Sequence, residues 1–337
     1  MDNQASEVKP LLIDRFGRVT DYIRISVTDR CDLRCVYCMS EDMTFVPRAK
    51  VLTLEEITTI ARAFVELGVS KIRFTGGEPL IRSNITKLFS DVSQMEGLHE
   101  AVITTNGTQL ERMAAEIKAS GIKRINISLD TLKQDRFKNL TRHGDLAIVL
   151  RGIDQALKMG FDRIKLNSVI LKNRNDDEIV DLVQFAIDRN IDITFIEEMP
   201  LGVIGDRDRA EAYYSSDKIL SDLRHQYKIT ALNESTGGPS KYYNLDDTET
   251  RIGFISPHSH NFCHQCNRVR LTAEGRLLLC LGQEHSVDLR HVIRAYPGDQ
   301  DRLKRTIIDS MEIKPEGHDF NLKEQPIILR HMNVTGG

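Results

Sequence analysis

The chain has 337 residues, 40% hydrophobic and 28% charged, enough for one large α/β barrel with a smaller appendage or for two ordinary domains. Its 46 Lys and Arg nearly balance 49 Asp and Glu; the net charge of −3 argues against a generally nucleic-acid-coating protein but leaves room for a local basic pocket. The opening MDNQASEVKP lacks a basic stretch followed by an apolar run, and no segment approaches the roughly 18 apolar residues that span a bilayer, so a soluble, cytoplasmic protein without a membrane partner is expected.

From residue 23 to about 200, short β-branched runs alternate with helical patterns. The expected strands are Ile23–Val27, Lys71–Phe74, Ala101–Thr104, Arg124–Leu129, Arg163–Ile170 and Asp192–Ile196. Thr53 and Glu56 read as a capping box ahead of apolar Ile57, Ile60, Ala61, Phe64 and Leu67, with Gly68 as the stop. Helical spacing recurs at Leu110–Ile117 before Gly121, at Leu146–Leu157 before Gly160, and from Asn175 to Ala186. Six strand–helix repeats imply a parallel sheet with right-handed crossovers. Periodicity does not separate an open doubly wound sheet from a full or partial (β/α) barrel. Polar residues just past the strands, such as Thr28–Arg30, Gly76–Glu78, Thr104–Asn106, Ser128–Asp130 and Glu197–Met199, favour a barrel mouth.

The pattern changes near residue 201. A polar loop at Gly202–Ala210 and a turn-rich linker at Asn233–Lys241 precede short strands at Tyr242–Leu245, Arg251–Ile255, Val269–Leu271 and Arg276–Leu279, then polar helices. A boundary near 230 divides the chain into residues 1–230 and 231–337.

The cysteines stand in two groups, Cys31, Cys35 and Cys38, then Cys263, Cys266 and Cys280. In a cytosolic chain such clustering points to metal rather than disulfides. Clusters usually take four cysteines, so three thiolates leave one iron open to a substrate or cofactor. A structural zinc site would want a fourth ligand. For the second group, zinc completed by His258, His260, His264 or His285 stays a rival on spacing alone.

The Cys-x3-Cys-x2-Cys triad with Tyr37 before its last cysteine, followed one βα unit later by Thr75-Gly-Gly-Glu-Pro79, resembles the radical S-adenosylmethionine (SAM) superfamily. That resemblance implies a partial (β/α)6 TIM-type barrel with a C-terminal α+β extension. It also implies a [4Fe–4S] cluster on Cys31, Cys35 and Cys38 that chelates SAM and cleaves it to a 5′-deoxyadenosyl radical. Glycines at 76 and 77 are expected to let bare backbone approach the methionyl group.

The ordered segments SVTDRC, TGGEPL, TTNG, INISLD, FIEEM and FCHQCNRVRLT, with the terminal Gly336-Gly337, are similar to the GTP 3′,8-cyclase family of molybdenum-cofactor biosynthesis. The likeness runs from about residue 12 to 337. It implies a second [4Fe–4S] cluster on Cys263, Cys266 and Cys280, met by the guanine ring. It implies GTP contacts at Arg24, Arg73, Thr104, Lys165, Arg268, Val269 and Arg270, and SAM contacts at Tyr37, Gly77, Ser128 and Met199. It places Gly336 and Gly337 in the active site as a catalytic tail. Arg268 and Arg270, two apart on a strand, share a face, and guanidinium forks suit phosphate. Ser40 and Thr335 depart from the pattern, which has proline and an aliphatic residue there. The resemblance further implies reduced flavodoxin or ferredoxin as electron donor, cyclic pyranopterin monophosphate synthase downstream, and a homodimer. The alternatives are a radical SAM peptide-modifying enzyme with an auxiliary cluster and a non-catalytic iron–sulfur or zinc binding module.

Overall fold

A computed structural model describes residues 12–204, 208–233, 236–324 and 326–336. The opening MDNQASEVKP, the middle of the Gly202–Ala210 loop, two residues of the Asn233–Lys241 linker and Gly337 lie outside the described residues.

Six strands alternate with helices as the periodicity requires: β1 (Tyr22–Ser26), β2 (Lys71–Thr75), β3 (Glu100–Thr105), β4 (Arg124–Ser128), β5 (Arg163–Val169) and β6 (Asp192–Ile196). Between them run α1 (Leu54–Glu66), α2 (Ile85–Ser93), α3 (Leu110–Ala119), α4 (Gln134–Thr141), α5 (Leu146–Lys158) and α6 (Ile179–Asp188). Thr53 caps α1 in the expected box, accepting from the Glu56 N–H while Glu56 accepts from the Thr53 N–H at 2.7 Å. Helices end where glycine alone enters the left-handed region without cost, as at Gly68 (φ +95°).

All six strands pair in parallel, in chain order. Their alternation divides the molecule. Ile23 and Ile25 of β1, Ile72 and Phe74 of β2, and Ile125 and Ile127 of β4 face the helices, meeting Ile60, Phe64, Phe89 and Ile153 in the main core. The Phe74 and Phe89 rings lie 4.9 Å apart and fasten α2 to β2. The opposite face carries Tyr22, Arg24, Arg73, Thr104 and Lys165, which line a cavity rather than a packed barrel interior.

After α7 (Arg209–Ala212) and α8 (Ser216–Arg224), the C-terminal strands extend this sheet at both edges. On one side come β7 (Ile229–Ala231), β8 (Lys241–Leu245) and β9 (Arg251–Ile255), with β9 parallel to β6 and the other two antiparallel. On the other side β10 (Arg268–Leu271) pairs in parallel with β1, followed by antiparallel β11 (Arg276–Leu278) and β12 (Ser286–Asp288). The strand order β12-β11-β10-β1-β2-β3-β4-β5-β6-β9-β8-β7 leaves the sheet unclosed, the expected partial barrel with an α+β extension. Helices α9 (Leu289–Ala295) and α10 (Gln300–Ser310) return to α1 through Arg294–Glu56 at 2.7 Å and Lys304–Glu66. A last short helix, α11 (Met332–Thr335), lies at the strand C-terminal ends. Among the described residues no helix is long and apolar enough to cross a membrane.

Candidate active site

All six cysteines line the cavity enclosed by the sheet, together with Tyr37, Gly77, Ser128, Met199, Arg24, Arg73, Thr104, Lys165, Arg268, Val269 and Arg270. The fold therefore gathers both triads and every expected contact on the strands into one cleft.

The first triad sits on the loop leaving β1. Thr28 O accepts from the Gly77 N–H (2.7 Å) and Arg30 O from the Glu78 N–H (2.8 Å), binding this loop to the one after β2. A Cβ on Gly77 would stand 2.2 Å from Arg30 O, and one on Gly76 2.6 Å from Thr28 O. The glycine pair is thus demanded by chain-on-chain contact, a reason additional to the approach of a bound methionyl group. Gly77→Ala is expected to displace the cysteine loop, costing about 1–3 kcal/mol of stability as overpacking does. Iron content after reconstitution, beside a thermal melt, checks it.

Asp32, between the first two cysteines, accepts from Asn106 Nδ2 (2.7 Å), Thr108 Oγ1 (2.6 Å) and Gln109 Nε2 (3.2 Å), so the loop after β3 holds the triad from the side. The Leu33 N–H points at Cys31 Sγ at 3.4 Å. Burial pushes all three thiols up, Cys38 to about 12. As free groups they are protonated, and bound iron supplies the positive charge that stabilises thiolates in such a place. Glu78, fully buried, accepts from Thr105 Oγ1 (2.8 Å) and from the Asn106 (2.7 Å) and Leu80 (2.9 Å) N–H groups. Burial nevertheless raises its carboxyl to about 8, and a cationic group entering beside it would restore the ionised form. Tyr37 donates to Asp130 Oδ2 at 2.6 Å; burial holds the Asp130 carboxyl up at about 6 against that bond and one from the Val169 N–H.

The second triad lies across the cleft. Cys263 and Cys266 flank the short turn before β10, and Cys280 follows β11. Burial opposes the Cys266 thiolate, yet the charges of Arg268 and Lys314 bring its thiol below the ordinary value. At Cys280 burial prevails and pushes the thiol up. None of the six cysteines is in a disulfide. Among the described residues no three His, Cys, Asp or Glu side chains converge on a point as the ligands of one mononuclear ion do. Thiolates of a cuboidal cluster each bind a different iron and need not converge on one point.

Between the triads runs a basic band. Arg270, Arg24 and Arg73 stand in register across β10, β1 and β2, and Arg268 pairs with Tyr22. Lys165 donates to the Tyr242 hydroxyl at 3.1 Å, and Arg73 reaches Thr104 Oγ1 at 3.4 Å. Burial and mutual repulsion push Arg24 down to about 10 and Arg270 well below its usual value. The same field overcomes burial at Tyr22, bringing its phenol to about 8 through Arg73, Arg24, Lys71 and Arg268. A cleft charged this strongly in one sign concentrates a polyanion.

The tail also arrives here. The Met332 N–H donates to Cys38 O (3.2 Å), Asn333 Nδ2 to Asp29 O (2.8 Å), and Arg270 Nη1 to Thr335 O (3.5 Å) and Gly336 O. Gly336 has φ +77°, and a Cβ there would fall 1.8 Å from Thr75 Oγ1, so no other residue fits.

The family profile "Radical SAM superfamily" matches residues 25–186, and "Molybdenum Cofactor Synthesis C" matches 191–320. A Saccharophagus degradans protein named GTP 3′,8-cyclase is 56% identical over 97% of this chain and 98% of its own length. Its Pseudomonas putida (strain W619) namesake is 58% identical over the same shares. The chain belongs to the GTP 3′,8-cyclase family.

As a member of that family it is a radical SAM enzyme, for which a [4Fe–4S] cluster and SAM are the working parts. The fold agrees: the structure of Streptococcus suis SuiB bound to S-adenosylmethionine superposes with a TM-score of 0.61 at 16% identity, covering 85% of this chain and 66% of that one. Several cleft residues were not singled out from the sequence. Alternation on β1 puts Tyr22 on the Arg24 face, a signal that was available. Asn167 shares the Lys165 face of β5 by the same alternation and Asp130 stands among the polar residues past β4, whereas Asp32 offers no comparable signal because it acts through contacts formed only in the fold.

Proposed function

We propose that the chain converts GTP to (8S)-3′,8-cyclo-7,8-dihydroguanosine 5′-triphosphate, the first step of molybdenum-cofactor biosynthesis. The observation that carries this is the basic band Arg24, Arg73, Lys165, Arg268 and Arg270 set between two cysteine triads in one cleft. A triphosphate is the anion that suits five cations, and arginine forks match its oxygens. A peptide-modifying radical SAM enzyme has no use for such a band.

In this reading Cys31, Cys35 and Cys38 hold the cluster that supplies a reducing electron to SAM and so makes it a hydrogen-abstracting cofactor. Tyr37, Gly77, Ser128 and Met199 line the SAM side of the cleft. The Arg270–Arg24–Arg73 rung and Arg268, with Lys165, Thr104 and the Val269 backbone, hold the triphosphate and pose the ribose C3′ against the guanine C8. Holding ribose and base at attack distance carries much of the rate. Cys263, Cys266 and Cys280 hold a second [4Fe–4S] cluster on the guanine side. The tail through Gly336 narrows the cleft and excludes water, and Gly336 and Gly337 act as the catalytic tail. The division at residue 230 sets the barrel, which carries the SAM contacts and the GTP contacts Arg24, Arg73, Thr104 and Lys165, apart from the segment that adds the second triad, Arg268 and Arg270. A reduced flavodoxin or ferredoxin as donor, cyclic pyranopterin monophosphate synthase as the next enzyme, a homodimer and a cytoplasmic setting complete the proposal.

Anaerobic reconstitution followed by SAM, GTP and a strong reductant tests it. About eight irons per chain, deoxyadenosine and a cyclised GTP seen by mass spectrometry are expected. Deoxyadenosine formed beside unaltered GTP would overturn the substrate assignment.

A further inference from the structure

Two buried cations and a third that is partly buried, from separate stretches of the chain, grip the backbone that carries the second triad. Arg18 donates from Nη1 to Cys263 O (2.8 Å) and Glu316 O (2.6 Å), and from Nη2 to Pro315 O (2.6 Å). Lys314 Nζ donates to Cys266 O at 3.1 Å. Arg330 Nη2 reaches Leu281 O at 2.9 Å, Gln283 O at 2.5 Å and Cys280 O at 3.5 Å. Each cysteine of the triad thus has its own cation at its own carbonyl or the next. Lys314 is 1% exposed and Arg18 9%, so these charges are placed against the triad rather than in solvent.

Two carboxylates accompany the three cations. Asp14 pairs with Arg18 at 2.7 Å and with Lys314 at 3.6 Å, and Glu284 lies 2.5 Å from Arg330. One positive charge remains in excess beside the thiolates. A buried lysine whose bond to the triad goes to a single carbonyl is a costly way to fix a loop, and a neutral donor would serve as well for shape alone. A charged donor has a second effect when the neighbouring group is a cluster carrying thiolate charge, because it makes the reduced, more negative state easier to reach.

We infer that Arg18, Lys314 and Arg330 form a collar that positions the second cysteine triad and raises the reduction potential of its cluster. The inference rests on the two-cluster reading above. The collar residues are positioning residues: they touch the backbone of the ligands and do not line the cleft. Because Arg330 shares a short segment with α11 and Gly336, the collar also fastens the root of the tail to the Cys280 loop.

The test is Lys314→Met, Arg18→Gln and Arg330→Gln in the full chain, reconstituted with ferrous iron and sulfide. Iron is expected to fall from about eight towards four per chain. Whatever second cluster remains is expected to show a lower midpoint potential in an electron-paramagnetic-resonance titration. SAM cleavage to deoxyadenosine persists, which reports an intact first site and a folded barrel. Lys314→Arg, which keeps the charge and the donor, is expected to restore both iron and potential. Should Arg18→Gln prove insoluble, Lys314→Met carries the decision. Eight irons with an unchanged potential in Lys314→Met and Arg330→Gln would overturn the collar while leaving the second cluster standing. Four irons in the unaltered protein would overturn the second cluster and the collar with it.

Discussion

Arg270→Ala is expected to raise the KM for GTP by about 10- to 100-fold, since a hydrogen bond to a charged group contributes about 1.5–3 kcal/mol and one to the triphosphate is lost. Arg270 is buried at the β10 end of the cationic rung, in register with Arg24, and it also donates to Gly336 O. Removing it takes away one fork for the triphosphate and the anchor of the tail together. The kcat therefore falls as well, and the loss in kcat/KM exceeds the loss in binding. Arg270→Lys keeps the charge but reaches one acceptor where the guanidinium reaches several, so it is expected to recover binding more than turnover. Steady-state kinetics with product read by mass spectrometry separates the two. An unchanged KM in Arg270→Ala would remove the band from substrate binding.

Cys35→Ser and Cys280→Ser are expected to abolish cyclisation in different ways. In Cys35→Ser the first cluster lacks a ligand, deoxyadenosine is not formed, and GTP is recovered unchanged. In Cys280→Ser the first site is intact, so deoxyadenosine still forms in the presence of SAM and reductant. The cyclised product does not, because on the two-cluster reading the guanine side of the cleft has lost its cluster. Serine is nearly isosteric with cysteine, and both cysteines are only partly buried, so both variants are expected to fold. Full cyclase activity in Cys280→Ser would sink the two-cluster reading.

How far the sequence reaches can be read off particular residues. The barrel strands were legible because their two faces have opposite tasks: Ile23 and Ile25 must meet helices, while Arg24 must not. The capping box at Thr53 and the left-handed stop at Gly68 are local, and local signals survive into the fold. Helix α4 was not foreseen, since only Phe137, Leu140 and Thr141 are buried in a largely polar segment. Strands β7 and β12, three residues each, are too short to show a period and exist only by pairing with longer neighbours. The turn-rich stretch expected as a linker in fact contributes Thr236, Gly238 and Ser240 to the cleft wall, and Lys71 Nζ donates to Thr236 O at 2.7 Å. Nothing near Arg18 announces its partner, for it lies 245 residues from Cys263. The cysteine motifs were visible as chemistry; the groups that hold them are visible only as geometry.

The placement of the C-terminal strands on both edges of the sheet bears on how the chain is made. Until β9 and β10 emerge, the nascent barrel presents the open edges of β1 and β6, each a row of unpaired N–H and C=O groups able to recruit a strand from another chain. The segment that follows both of these strands in the chain is the one that fastens Cys38, Asp29 and Arg270. Synthesis therefore seals the two exposed edges before the reaction chamber can close, so a chain cut before α11 is left with the cleft unfinished.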